Sequence, residues 1–190
     1  MITQNAIAFK EWAVVVEALL GGKQTIILRK GGIIEKKGEF TVDHTKFLLF
    51  PTFLHQNDAE LIPEERENLK RLHAAGGNAD TLRISGFMQV EQVHFLEDFE
   101  TVKRVQPFGI WSLECLEERF NWGDKTGIHL IVGRVYKLAA PATFPMLPKY
   151  GGCKSWVELE KTVSLNGARP VLSDAQFVDA LSEIASLRSQ

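Results

Sequence analysis

The stretch Ile128–Leu138, IHLIVGRVYKL, carries the strongest β-strand signal in the chain. Isoleucine, valine and leucine dominate it, and Gly133 and Arg134 are its interruptions. β-Branched residues favour the pleated surface of a sheet. The stretch therefore predicts a strand and makes a β-sheet the first expectation for the fold.

Segments of similar character lie on both sides of this strand. Gly86 lies inside the longest of them and predicts a bulge or a bend. Pro51 is expected to end an apolar run, because proline has no N–H to donate to a neighbouring strand. The further predicted strands are Thr25–Lys30, Ile33–Ile34, Phe40–Val42, Phe47–Phe50, Thr81–Leu96 and Trp156–Glu160.

Four helices are predicted from apolar spacing and from the residues at their ends. They cover Phe9–Leu20, a polar segment from Pro63 to Gly76, Trp111–Phe120, and a segment beginning at Ser173. Ser173 and Gln176 form a capping box at the start of the last helix. Its expected buried stripe is Phe177, Val178, Leu181, Ile184 and Ala185. The stretches Asp98–Gly109 and Pro141–Gly152 are predicted to be connections.

The order of these elements predicts the fold class. Helices and strands are interspersed without a regular βαβ alternation, which favours an α+β protein. We expect a largely antiparallel or mixed sheet, or a small barrel, with flanking helices. Residues 1–190 form a single domain in this interpretation, or they divide near residues 98–110 into two subdomains.

Composition predicts a folded protein without strong overall charge. Hydrophobic residues make up 45% and charged residues 24% of the chain, and the net charge is -2. Any site for an anion must therefore be local. The N-terminus lacks the pattern of a signal peptide, and no apolar window approaches the ~18 residues of a membrane span, so we expect a cytoplasmic protein. Cys115 and Cys153 have no CxxC spacing, and we expect no metal and no cofactor.

The stretch Leu28–Phe40, LRKGGIIEKKGEF, is the first candidate site. Its paired glycines allow backbone N–H groups to approach an anion, and Arg29 and Lys30 supply charge beside them. Neither a GxGxxG nor a GxxxxGK[ST] fingerprint is present. The alternatives are a cradle for phosphate and a plain turn between strands.

The same stretch contains an E-x-K tripeptide, Glu35 to Lys37. Two residues apart on a strand share one face, where the carboxylate can bind a divalent ion and the lysine can help to activate water. The second carboxylate would be Asp43, Glu39 or a distant residue. A solvated charge run is the alternative.

Three other groups of residues are candidates for a site. His55 follows a predicted strand and is either a ligand-binding loop residue or a hydrogen-bonded structural histidine. Glu114 and its neighbours Glu117 and Glu118 either bind a cation or form a solvated face. Tyr150 and Trp156 either stack a base or anchor the core.

Four stretches together resemble a prokaryotic family catalogued as domain of unknown function 1802. They are LRKGGI, FLLFPTFLHQ, WSLECLEERFNWG and GRVYKL. The similarity spans most of the chain, and the family implies no activity.

The first third of the chain carries a second resemblance. A helix followed by Gly21, Lys23, Thr25 and Arg29 is similar to the opening of ASCH and other PUA-like domains. Those domains are small β-barrels implicated in binding RNA or modified nucleosides. The resemblance implies ligand-binding roles for Lys23, Thr25 and Arg29.

Three functions are consistent with these patterns. The first, which we favour, is a module that binds RNA, single-stranded nucleic acid or a nucleoside. Its anion-binding residues would be Lys23, Arg29, Lys30 and Arg134, with His55 nearby and Tyr150 or Trp156 stacking on a base. The second is a metal-dependent phosphodiesterase that uses Glu35 and Lys37. The third is a non-catalytic interaction or regulatory protein with a protein partner.

Overall fold

The computed structural model of the protein describes residues 3–30, 44–75 and 80–188. The predicted strands Ile33–Ile34 and Phe40–Val42 lie outside these residues. The strands within them are β1 (Gln4–Trp12), β2 (Ile26–Arg29), β3 (Lys46–Thr52), β4 (Thr81–Leu96), β5 (Ile128–Pro145), β6 (Trp156–Ser164) and β7 (Arg169–Pro170). The α-helices are α1 (Ala13–Gly21), α2 (Pro63–Ala74), α3 (Phe99–Val105), α4 (Leu113–Asn121) and α5 (Asp174–Arg188).

The described strands form one open, mixed sheet. Its order is β2-β5-β4-β3-β1-β6, and β7 pairs with β5. The pair β1 and β3 is parallel, whereas the other pairs are antiparallel. The prediction of an α+β fold with a mixed sheet is therefore confirmed, and the sheet is open where a small barrel was the alternative. No described helix is long and apolar enough to cross a membrane. The division near residues 98–110 stays a prediction.

The two longest strands, β4 and β5, form the antiparallel centre of this sheet. The register shifts between Ile84 and Gly86, which confirms the predicted bulge. Strand β5 extends seven residues past the predicted end at Leu138, so the prediction of a connection from Pro141 was wrong for its first part. Leu82 to Phe144 and Thr81 to Pro145 are still paired there.

The prediction of a helix from Phe9 was wrong at its start. Phe9 lies in β1, where its ring packs 5.1 Å from Phe47 and 4.8 Å from Trp156 between ring centroids. The helix begins at Ala13, and most of its residues are buried. Phe9 and Trp12 fit the apolar spacing of a helix with Lys10 and Glu11 on its polar face, whereas both charged side chains are buried in β1. The predicted end is confirmed, because Gly22 has a left-handed φ of 74°.

The prediction of a connection at Asp98–Gly109 was also wrong. Helix α3 begins after Asp98, whose carboxylate accepts hydrogen bonds from the backbone N–H groups of Glu100 and Thr101. Val102 and Val105 of this helix are buried in the core. The sequence signal for this helix was the acidic N-cap residue. Pro107 led instead to the prediction of a connection.

The other predicted helices are confirmed, but some of their apolar side chains are exposed. Ser173 Oγ accepts from Gln176 N at 3.3 Å, and Gln176 Oε1 accepts from Ser173 N at 3.0 Å, which completes the capping box. The predicted stripe of α5 was wrong for Val178, which is exposed. Leu113 in α4 is 42% exposed.

The predicted stop at Pro51 was wrong, because β3 continues to Thr52. Pro51 pairs with Glu11 of β1, while β4 pairs with β3 no further than Leu48. Proline has no N–H to donate to a neighbouring strand. At Pro51, β3 pairs with β1 on one side and with no described strand on the other, so the missing N–H costs no hydrogen bond on that side.

The sheet curves strongly enough to bring distant strands together. Three strands separate β2 from β1, so a flat sheet would hold them ~19 Å apart at ~4.8 Å for each spacing. Arg29 at the end of β2 nevertheless places its Nη1 3.2 Å from Glu11 Oε2 at the end of β1. This curvature encloses the main core and creates a cleft at one end of the sheet.

We predict that Gly86→Ala lowers the free energy of unfolding by about 3 kcal/mol, because overpacking a tight site costs energy of this order. A Cβ at Gly86 would lie 2.4 Å from the carbonyl oxygen of Tyr136 and 2.4 Å from Leu20 Cδ2. Chemical denaturation measures the change. Gly21→Ala is the matched control, since the nearest atom to its added Cβ is 4.0 Å away. Equal stability of the two variants would contradict the close approach of α1 to the sheet.

Candidate anion-binding cleft

A cleft of about 580 Å³ opens at the carboxyl ends of the parallel strands β1 and β3. Trp12 pairs with Thr52 there, so the segments that follow both strands start side by side. We call it the basic cleft. It is lined by Lys10, Glu11, Trp12, Arg29, Lys30, Thr52, Leu54, His55, Arg119, Trp122, Gly152, Cys153 and Lys154.

Charge sets the basic cleft apart from the rest of the chain. Five cationic side chains line it, and Glu11 is the one carboxylate among its described lining residues. The complete chain has a net charge of -2. Cations gathered in a concave site raise the local concentration of anions. The cleft is therefore suited to a phosphate or a carboxylate.

Lys10 lies at the base of the basic cleft and is 7% exposed. Its Nζ donates to the carbonyl oxygens of Tyr150 and Gly152, each at 2.8 Å. Burial lowers the pKa of Lys10, and repulsion from Lys154 and Arg29 lowers it further against an opposing effect of Cys153. The predicted helix Phe9–Leu20 would have included Lys10. Because it belongs to a strand instead, its side chain enters the protein.

Arg29 joins the two ends of the curved sheet. Its Nη1 contacts Glu11 Oε2 at 3.2 Å and the Lys10 carbonyl oxygen at 3.3 Å, and its Nη2 donates to Ser155 Oγ at 2.9 Å. The guanidinium also lies 5.0 Å from the centre of the Phe9 ring. Glu11 is only 4% exposed, so its charge depends on this partner. Arg29 thus lines the cleft and holds its walls together.

The ammonium group of Lys30 makes its hydrogen bonds within the protein. Its Nζ donates to the carbonyl oxygens of Phe120 and Gly127, both at 2.9 Å, and to that of Lys125. An ammonium group has three donors. The three therefore bind the last turn of α4 and the connection from α4 to β5. Burial lowers the pKa of Lys30, and Lys125 adds repulsion.

Arg119 and Trp122 form the wall that α4 contributes. The Arg119 guanidinium lies 3.8 Å from the centre of the Trp111 ring, and its Nη2 donates to Glu60 Oε2 at 2.9 Å. Trp122, just beyond the helix, is 61% exposed. An exposed indole beside cations is a surface on which a planar ring can stack. Neither residue was among the predicted ligand-binding residues, and the signal for Trp122 in the sequence is an aromatic residue between Asn121 and Gly123, just after a predicted helix.

His55 lies at the mouth of the cleft on the segment that follows β3. Its φ is 57°, in the left-handed region that non-glycine residues seldom adopt. Backbone strain of this kind is concentrated at functional segments. The prediction that placed His55 on a loop next to a strand end agrees with its position, and its role as a ligand stays a prediction.

The other predicted site residues lie outside the basic cleft. Lys23 forms an ion pair with Glu65 of α2, and Arg134 forms one with Asp174 at the start of α5. The ligand-binding roles of Lys23 and Arg134 stay predictions.

The two predicted stacking residues, Trp156 and Tyr150, both make contacts within the protein. Trp156 packs edge-on against Phe9 and Phe47. Tyr150 is buried, and its hydroxyl oxygen accepts a hydrogen bond from Glu160 N at 3.1 Å. These contacts match the alternative in which both aromatic rings anchor the core.

The residues of the E-x-K hypothesis, Glu35 and Lys37, lie outside the described residues. Within residues 3–30, 44–75 and 80–188, no three His, Cys, Asp or Glu side chains are grouped so as to hold a metal ion. Glu114, Glu117 and Glu118 are exposed on α4. The nuclease hypothesis stays a prediction.

The fold and the cleft define an α+β protein with a curved mixed sheet and a local cationic site. The family model "Domain of unknown function (DUF1802)" matches residues 8–183, and the chain belongs to this family. The resemblance read from its four sequence stretches is thereby confirmed. A comparison with curated proteins gives no match.

The chain is also similar to a solved structure, the crystal structure of ASCH from Zymomonas mobilis. The two are 12% identical, and the similarity covers 92% of this chain and 94% of that chain with a TM-score of 0.42. The likeness to ASCH indicated by the first third of the sequence is found again here. At this TM-score it gives no ground for assigning a ligand, so the function is inferred from the side chains of the cleft.

We predict that Arg29→Ala lowers the free energy of unfolding by about 3 kcal/mol, since removing one partner of a buried ion pair leaves the other uncompensated. Urea denaturation gives the value. Lys70→Ala, which breaks an exposed pair with Glu67, is the control and should leave stability unchanged. A stable Arg29→Ala protein would contradict the role of Arg29 in closing the cleft.

The double variant Arg29→Ala, Lys30→Ala should lose stability for the same reason. It is therefore unsuited to a test of binding.

We predict that iodoacetamide labels Cys153 and spares Cys115 in the native protein. Burial raises the pKa of Cys115 to about 12, and its thiol contacts Glu60 Oε2 at 3.3 Å. Cys153 is exposed and lines the basic cleft. Mass spectrometry at pH 8 should show one adduct on the native chain and two on the denatured chain. Labelling of Cys115 in the folded protein would contradict its burial.

Proposed function

We propose that the protein binds single-stranded nucleic acid, RNA or DNA, through its phosphate groups in the basic cleft. The observation that carries this proposal is the set of five cationic side chains around one open cavity in a chain of net charge -2. Phosphate contacts supply most of the affinity of such complexes. A chain without overall positive charge must supply them locally.

The cations of the cleft have different parts in this proposal. Lys154 is exposed and, among the described residues, donates one hydrogen bond, to the Lys149 carbonyl oxygen at 2.6 Å. Lys10 donates two, and each ammonium therefore keeps donor capacity toward a phosphate. Lys30 directs three donors to backbone carbonyls, so it shapes the cleft and adds charge to its field.

Trp122 provides the surface for a base. Stacking of a base on an aromatic side chain contributes about 1–3 kcal/mol and tolerates any sequence. The indole is exposed beside the cations, whereas Tyr150 and Trp156 are engaged in the core. The proposed complex therefore has phosphates at Lys10 and Lys154 and one base on Trp122. A cytoplasmic location, expected from the sequence, agrees with such a ligand and stays a prediction.

Binding is measured by fluorescence anisotropy with labelled oligouridine and oligothymidine at two salt concentrations. We predict that Lys154→Gln weakens binding about fivefold and reduces the slope of log affinity against log salt by about 1, as expected for the loss of one phosphate contact. Trp122→Ala should weaken binding about tenfold through lost stacking. Lys161→Gln is the matched control, since Lys161 is an exposed lysine on β6 outside the cleft.

The competing functions give different results in the same experiment. No salt-sensitive binding by the wild type would refute the proposal, and equal effects of Lys154→Gln and Lys161→Gln would refute the cleft as the site. Shortened product that needs Mn²⁺ and is lost in Glu35→Gln would favour the nuclease. Neither binding nor cleavage would favour a protein partner. A bound oligonucleotide should also slow the alkylation of Cys153.

A further inference from the structure

A second, larger cavity adjoins the basic cleft. Its volume is about 730 Å³, and ligand sites in proteins commonly measure about 300–1,000 Å³. Lys10, Thr52 and Leu54 line both cavities, so the two meet at these residues. We call it the apolar cavity.

The wall of the apolar cavity is mainly hydrocarbon. Helix α1 contributes Val16 and Leu20, and the end of β3 contributes Phe50. The other apolar lining residues are Ala13, Pro51, Phe53, Leu54, Leu72, Leu82, Met146, Leu147 and Pro148, together with the ring of Tyr150. The polar lining side chains besides Lys10 and Thr52 are Thr81, Arg83 and Ser85. A wall of this composition binds an apolar body and offers few polar groups to orient it.

Lys10 is a buried cation without a carboxylate partner among the described residues. Its ammonium is held by two carbonyl oxygens, and no described carboxylate lies within ion-pair distance of it. The nearest acidic residue along the chain, Glu11, is paired with Arg29. Burying an unpaired charge is unfavourable, and an anion at this point would relieve that cost. The third donor of the ammonium is available for it.

The mouth of the apolar cavity exposes hydrophobic side chains. Leu54 is 61% exposed, and its neighbour Phe53 is exposed as well. Both belong to the segment that ends in the strained His55. Exposed apolar side chains that rim a cavity favour the burial of an apolar ligand.

We propose that the apolar cavity binds a small organic acid with a long apolar body, whose anionic head lies at Lys10. The body occupies the hydrocarbon wall, and the carboxylate completes the hydrogen bonding of the ammonium. The inference does not require nucleic-acid binding, because it rests on the wall of the second cavity and on Lys10, which has no carboxylate partner among the described residues. Since the Lys10 ammonium has one donor left, a phosphate and a carboxylate would compete for it.

The test is isothermal titration calorimetry of the full chain with decanoate, kept below its micelle concentration. We expect one decanoate for each chain and binding at least tenfold tighter than that of 1-decanol, which lacks the charge. Octanoate should bind about 15-fold more weakly than decanoate, from about fourfold for each methylene removed from the apolar wall. No binding, or equal binding of the acid and the alcohol, would overturn the proposal.

Variants of the cavity test where decanoate binds. Lys10→Gln should abolish the preference for decanoate over 1-decanol, with a thermal melt to verify folding. Leu54→Gln changes an exposed side chain, keeps the fold intact and should weaken decanoate binding at least fivefold. Leu113→Gln is the matched control on α4 and should bind as the wild type does. Equal affinities of Leu54→Gln and Leu113→Gln would overturn the proposed site. Oligonucleotide binding is measured separately on the wild type, so failure of either proposal is recognised by itself.

Discussion

The ion pair between Arg29 and Glu11 is the interaction on which the cleft depends. It spans strands that three others separate in the sheet, and it does so because the sheet curves. Glu11 is buried, so the loss of Arg29 would leave a carboxylate without compensation in the interior. The curvature of the sheet also brings Ser155, just before β6, to the same guanidinium. One side chain thereby joins both edges of the sheet.

This arrangement divides the cationic residues by task. Arg29 and Lys30 are engaged with protein acceptors and fix the geometry of the walls. Lys10 donates two hydrogen bonds and Lys154 one to described residues, so each ammonium keeps donor capacity. A stable scaffold and a charged site compete for the same residue types, because an ammonium that is saturated by carbonyls cannot also bind a phosphate. Position in the fold decides which task each cation has.

The sequence predicted much of the fold where the signals were local. The capping box of Ser173 and Gln176 identified α5, and the run from Ile128 identified the central strand. It failed where buried charged residues of a strand fitted the spacing of a helix, as at Lys10 and Glu11, and where proline masked the helix that Asp98 caps. Of the cleft, Arg29, Lys30 and His55 were predicted. Lys10, Arg119, Trp122 and Lys154 were missed, since their proximity is a long-range property.

The sequence by itself determined the fold class, the near-neutral charge and the family, because composition, local patterns and similarity are properties of the chain. Only the tertiary structure decided which charges share a cleft. Lys10, Arg29, Arg119 and Lys154 are distant in sequence and meet because the sheet curves and because β1 and β3 end side by side. It also decided that Lys10 turns inward without a carboxylate partner among the described residues, since the pairing of β1 with two strands fixes the direction of its side chain.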